Sequence, residues 1–169
     1  MTSSTKALLV TTGFSILGIA SLLFSAPSSE LVVPHVLFYA VLTVNSYFSV
    51  RLFSSIQPST ISQSVADTIL VLMYIALAFS IRHPLAFAFF ALSVFVAAIP
   101  KYALMLEVVP QRMLLKRKIF IDCMGTVLCT AVLGGTVLGF ELESAWTLAA
   151  IFTFANVYLL FIRPMYRLE

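Results

Sequence analysis

Charge is scarce in this sequence. Lys, Arg, Asp and Glu together make up 10% of its 169 residues, where an ordinary globular domain carries about 25%. A water-soluble chain this short leaves a large share of its surface in contact with solvent. With 61% hydrophobic residues, too little polar surface exists to cover it, and an aqueous coat is excluded. Most of the surface must face lipid. Cysteine is scarce too. Cys123 and Cys129 sit in one apolar run, and six residues of helix hold them roughly 9 Å apart, beyond the reach of a disulfide. The two histidines, His35 and His83, each adjoin a proline at a span end. No carboxylate or thiol joins them, so no metal or cofactor site is expected. There is no glycine-rich phosphate loop, no HExxH and no GxSxG, hence no soluble catalytic signature. Without a basic tail or interleaved aromatic and basic residues, nucleic acid is not an expected partner. No polar connection approaches the ~50 residues of the smallest ordinary domains, so the chain reads as one transmembrane domain over 1–169.

What the sequence does have is apolar runs close to the ~20 residues that cross a bilayer. Six stand out: Ala7 to Ala26, Leu31 to Val50, Val65 to Ile81, Leu85 to Ile99, Ile119 to Phe140 and Ala145 to Ile162. Pro27-Ser-Ser-Glu30 ends the first and Arg163-Pro164 the last. Arg82-His83-Pro84 divides the third from the fourth, since proline lacks the amide donor and biases the residue before it away from helix. The first run exceeds the ~7–15 residues of a signal-peptide core. Phe24 also occupies the −3 place before Ala26, where cleavage requires a small residue. The run is expected to be a retained helix.

The basic residues are unevenly shared among the loops. With six spans and the N-terminus inside, the inner side receives Lys6, Arg51, Lys101, Arg112, Lys116, Arg117, Lys118, Arg163 and Arg167, and the outer side only Arg82. The outer loops carry Glu30, Glu141 and Glu143 instead. By the positive-inside rule this predicts an all-α, polytopic integral membrane bundle of six transmembrane helices with both termini cytoplasmic, in the cell (inner) membrane. The stretch QRMLLKRK, Gln111 to Lys118, is its chief inner anchor. A second reading lays Tyr102 to Lys118 along the inner surface as an amphipathic helix, although Pro110 interrupts it.

The polar residues within spans are the candidate site. A carboxylate in a span defaults to a functional hypothesis, which singles out Asp122 and Asp67. Each also lies in the first turn of its span, where the helix dipole favours a negative charge, and Lys118 or Arg117 lies within reach of Asp122. Asn45 and Asn156 lie about 10 Å inside the inner boundary by helical rise. Their matched depth suits either a shared polar site or an interhelical hydrogen bond. With Arg51 and Arg163 these groups cluster in the inner half. Asn-x-Tyr followed by an inner arginine occurs at the ends of the second and sixth spans, which raises the idea of three related helical hairpins. Gly135-Thr-Val-Leu-Gly139 is a GxxxG that suits close helix packing, within the chain or between copies. Trp146, Tyr47, Tyr158 and Tyr166 are placed as an interfacial aromatic belt would be.

An inner-half polar cluster in a short-looped bundle points first to a transporter, permease component or channel, with Asp122, Asp67, Asn45, Asn156, Arg51 and Arg163 along the pathway. A non-catalytic subunit of a larger membrane complex is the alternative. A lipid-modifying intramembrane enzyme comes last, because no paired acids or histidines stand at a recognisable spacing. The partners this leaves are the lipid bilayer, further copies of the chain, or other membrane subunits.

Overall fold

In hydrocarbon every backbone amide and carbonyl must be paired within the chain, and a helix does this locally. The structure, a computed structural model, describes residues 2–23 and 30–166. It contains six α-helices: α1 (Ser3–Leu23), α2 (Val32–Ile56), α3 (Ile61–Phe79), α4 (Pro84–Leu106), α5 (Arg112–Val137) and α6 (Glu141–Val157). A π-helical extension, Tyr158–Ile162, carries α6 onward. No strand occurs among the described residues. All six helices are long and apolar enough to cross a membrane, which supports a multi-pass integral membrane protein. The end of the first span, the turn at Pro27 and the position of Arg167 lie outside the described residues.

Helix ends depart from the apolar runs that mark them: α3 stops at Phe79 rather than Ile81 and α5 at Val137 rather than Phe140, while other ends run past their runs. α4 continues through Pro100 to Leu106, although the apolar run ends at Ile99. A membrane helix tolerates an internal proline when its neighbours pair the freed backbone groups. Gln63 Nε2, on α3, donates to the carbonyl of Lys101 at 3.2 Å, which ties the segment beyond the proline to a neighbouring helix. α5 begins at Arg112. Tyr102 to Lys118 is therefore not a surface helix: its first part completes α4, its last part opens α5, and a short turn at Val108 to Gln111 separates them.

Each helix packs beside two others, in a ring that runs α1, α2, α6, α5, α4, α3 and back to α1. α2 and α4 are the most buried and face each other across the ring. At one end they are bridged by aromatic side chains. His35 stacks on Phe87 with ring centres 4.1 Å apart, and Phe38 meets both Phe87 and Phe152. Close backbone approach is set by glycines the GxxxG pattern does not contain. A Cβ on Gly125 of α5 would collide with the ring of Phe95 on α4, and one on Gly18 of α1 would press on Tyr39 of α2. Gly135 does pack inside the chain, against Ser144 of α6. Gly139 does not share that helix face. It lies past the end of α5 with φ of 92°, a left-handed conformation that glycine adopts without a Cβ penalty, and it makes the turn into α6.

Hydroxyl groups buried in this apolar bundle are mostly retired onto their own helices. Thr43 bonds the carbonyl of Tyr39, Thr126 that of Asp122 and Thr136 that of Val132, the usual i−4 arrangement for Ser and Thr in helices. At the end opposite the basic residues, two cross-links tie loops to helices. His35 Nδ1 lies 2.7 Å from the carbonyl of Ile81, and Arg82 Nη2 donates to the carbonyl of Leu22 at 3.1 Å. The His35 and Arg82 contacts are thus structural. His83 is exposed at the start of α4.

Candidate functional site

The buried face of α5 carries Leu115, Lys118, Asp122, Cys129, Val132 and Thr136. The alternating steps of three, four and seven place them in one stripe. Two ionisable residues fall on that stripe, and this sets the site. The basic run therefore divides: Arg112, Lys116 and Arg117 are exposed, while Lys118 turns inward with 6% of its surface accessible. Its Nζ lies 2.5 Å from Asp122 Oδ1, and Asp122 is 1% exposed. Lys118 is thus not one of the outward anchors expected from the loop charges, and Arg117 leaves Asp122 to it.

A second ion pair stands across the bundle. Lys101, one residue beyond Pro100 on α4, places Nζ 2.7 Å from Asp67 Oδ1 on α3. Gln57 Nε2, just past α2, donates to Asp67 Oδ2 at 2.8 Å. Between the two pairs lies Tyr102. Lys118 Nζ is 5.3 Å from its ring centre and Lys101 Nζ 5.5 Å, both within the ~6 Å over which an ammonium is attracted to an aromatic face. The Tyr102 hydroxyl pairs with Ser49 of α2 at 2.9 Å. One turn further along α2, Ser46 Oγ donates to the carbonyl of Leu42, so in its 2.6 Å contact with Tyr74 of α3 the tyrosine is the donor. A polar string thus runs from Gln57 through Asp67, Lys101, Tyr102 and Lys118 to Asp122, crossing α3, α4 and α5.

This string borders a partly open cavity of ≈ 170 Å³ lined by α1 to α5. Apolar side chains line it as well, Phe14, Leu42, Val94 and Phe95 among them. Lys6 and Val71, both exposed, lie where α1 and α3 flank it. Two polar atoms beside it are buried without a hydrogen-bond partner, Asp122 Oδ2 and Ser54 Oγ.

Of the six pathway residues expected from sequence, Asp122, Asp67 and Asn45 line this one cavity. The other three are elsewhere. Arg51 and Arg163 are exposed. Asn156 is buried on α6, where its Nδ2 donates to the carbonyl of Phe152 at 2.8 Å on its own helix. Asn45 instead accepts from Tyr166 at 2.9 Å. The two asparagines thus have separate partners, and neither the shared site nor the interhelical bond between them forms. The two acids are not used alike either: Asp67 pairs with a neighbouring helix and Asp122 within its own. Tyr166 leaves the expected interfacial belt because the chain folds back after the π-helical turn. Met165 is buried there, and Tyr166 packs against Phe48 and Phe53. Burial pushes the Tyr166 hydroxyl above the ordinary phenol range, which keeps it the proton donor to Asn45.

The sequence reading missed Lys101, Tyr102, Tyr74, Ser46 and Ser49. The fourth apolar run ends at Ile99, one residue short of the proline, and leaves Lys101 and Tyr102 outside it. For Ser46 and Ser49 a signal existed: both fall on the stripe of α2 that includes Leu42, Phe53 and Tyr39. Among the described residues, no three of His, Cys, Asp and Glu gather as metal ligands would, and both cysteines are free thiols. Compared with models of known families, with curated proteins and with solved structures, the chain matches none.

Proposed function

We propose that this protein is a small membrane transporter whose solute site is the cavity between α1 and α5, with its basic end toward the cytoplasm in the cell (inner) membrane. One observation carries the reading: two ion pairs and a set of tyrosine and serine hydroxyls border a single void inside an otherwise apolar bundle. Ionisable groups within the membrane are expensive and gather at substrate or ion pathways. A pair needed only for structure is held best in dry, tight packing, because removing charge from water costs several kcal/mol per ion (a rough figure) and only close contacts offset it. Here both pairs also line a void. Asp122, Asp67 and Asn45 line the pathway, joined by Lys118, Lys101 and Tyr102; Asn156, Arg51 and Arg163 leave it. The excess of basic residues at this end supports the orientation.

The test is flux. The purified full chain is reconstituted in liposomes and challenged with a panel of inorganic cations, sugars, amino acids, organic amines and organic acids. At least one member is expected to cross faster than in protein-free liposomes. Asp122→Asn, and separately Ala98→Leu, which narrows the cavity while leaving every ionisable residue in place, are expected to reduce that flux at least tenfold. If folded wild-type protein moves no member of the panel, transport is refuted and the subunit reading takes its place. Undiminished flux in both variants refutes the cavity as the route.

A further inference from the structure

The cavity has a charge balance that selects its occupant. Three lysines and two aspartates line it. Lys118 is neutralised by Asp122 and Lys101 by Asp67, and the remaining Lys6 is exposed at the edge, where water screens it. The buried part of the site is therefore electrically even. A solute with net charge would stand there uncompensated, a large penalty in a low-dielectric interior. Yet the site offers both hydrogen-bonding senses. Asp122 Oδ2 is an anionic acceptor with no partner. Lys118 and Lys101 each carry three N–H donors, of which one is bound to a carboxylate. The lining also includes Phe14, Leu42 and Phe95, which leaves a sugar or other many-hydroxyl solute unpaired against them.

We infer that the cavity binds a small zwitterion with an apolar body, its ammonium on the free oxygen of Asp122, its anionic group on the lysines, and its hydrocarbon part against Phe14, Leu42 and Phe95. This rests on the transport reading for its physiological meaning but concerns binding alone. A volume of ≈ 170 Å³ suits a molecule of amino-acid size.

The experiment is equilibrium binding to the full chain in lipid nanodiscs, read by intrinsic fluorescence and by calorimetry, with three probes of one shape. L-leucine carries both charges, 3-methylbutylamine lacks the carboxylate and 4-methylpentanoate lacks the ammonium. Leucine is expected to bind at least tenfold more tightly than either single-charge analogue, and Asp122→Asn to weaken leucine at least tenfold. Absence of leucine binding, or an analogue binding within threefold of leucine, overturns the inference. Because the analogue series uses wild-type protein, it decides the matter even where Asp122→Asn fails to fold. Leucine bound without flux refutes transport alone; flux of another solute with no leucine binding refutes the zwitterion alone.

Discussion

Replacing Lys118 by methionine tests whether the central ion pair is desolvated. Methionine keeps an unbranched chain one atom shorter and removes the charge. At 2.5 Å and an effective dielectric of about 20, the attraction between unit charges is about 6–7 kcal/mol. Desolvation of the two ions costs several kcal/mol each, so the pair as a whole is near break-even. Its loss from one side is not. Lys118→Met leaves the carboxylate of Asp122, 1% exposed, without its counter-charge, and is expected to destabilise the fold by about 3–5 kcal/mol. The double variant Lys118→Met, Asp122→Leu removes both charges and is expected within about 1 kcal/mol of wild type, as buried pairs replaced by apolar residues usually are. Reversible unfolding in mixed micelles, followed by helical ellipticity, measures both. A single variant as stable as wild type, or a double variant as unstable as the single, would refute the picture of a buried, mutually dependent pair.

Gly125→Ala is expected to destabilise the fold by about 1–3 kcal/mol through overpacking, since its Cβ meets the ring of Phe95; Phe95→Leu in the same chain should recover much of the loss in the same unfolding assay. His35→Leu leaves the buried carbonyl of Ile81 without its partner and should cost about 1–3 kcal/mol, again read by unfolding. Arg82→Ala frees the last turn of α1 from the α3–α4 turn, and proteolysis or hydrogen exchange at residues 20–23 should rise while exchange in α5 stays unchanged. A reporter placed in the turn at Val108 to Gln111 should be modified only after intact cells are permeabilised; modification from outside would reverse the proposed orientation.

The number and type of elements were legible because the solvent dictates them. Runs of apolar residues near bilayer length have few alternatives to helix, and Arg82-His83-Pro84 marked its turn through proline's missing donor. Helix ends were less legible. Pro100 reads as a terminus, yet α4 continues to Leu106, and beyond the proline the carbonyl of Lys101 meets Gln63 of α3, a contact no local pattern encodes. Asp122 was visible as a costly carboxylate. The inward turn of Lys118 was readable in principle, because Leu115, Lys118, Asp122 and Cys129 share one face, but loop-charge counting treats every lysine near a span end as an anchor. Asn45 and Asn156 show the limit of depth arguments. Equal depth places two residues in one layer of the membrane without placing them on facing sides of their helices.

The attachment of α3 gives the surrounding lipid a hold on the cavity. Its buried side chains lie at its two ends, Gln63 in the first turn and Leu77 and Ala78 in the last, while Val65, Ile69 and Leu72 between them are exposed. It is also the shortest span, 19 residues, or about 29 Å of rise against a hydrocarbon core of ~30 Å. A thicker bilayer strains the shortest helix first, and sliding α3 exchanges apolar neighbours for acyl chains at little cost while stretching Asp67 from Lys101. Membrane thickness thus acts mechanically on one wall of the site.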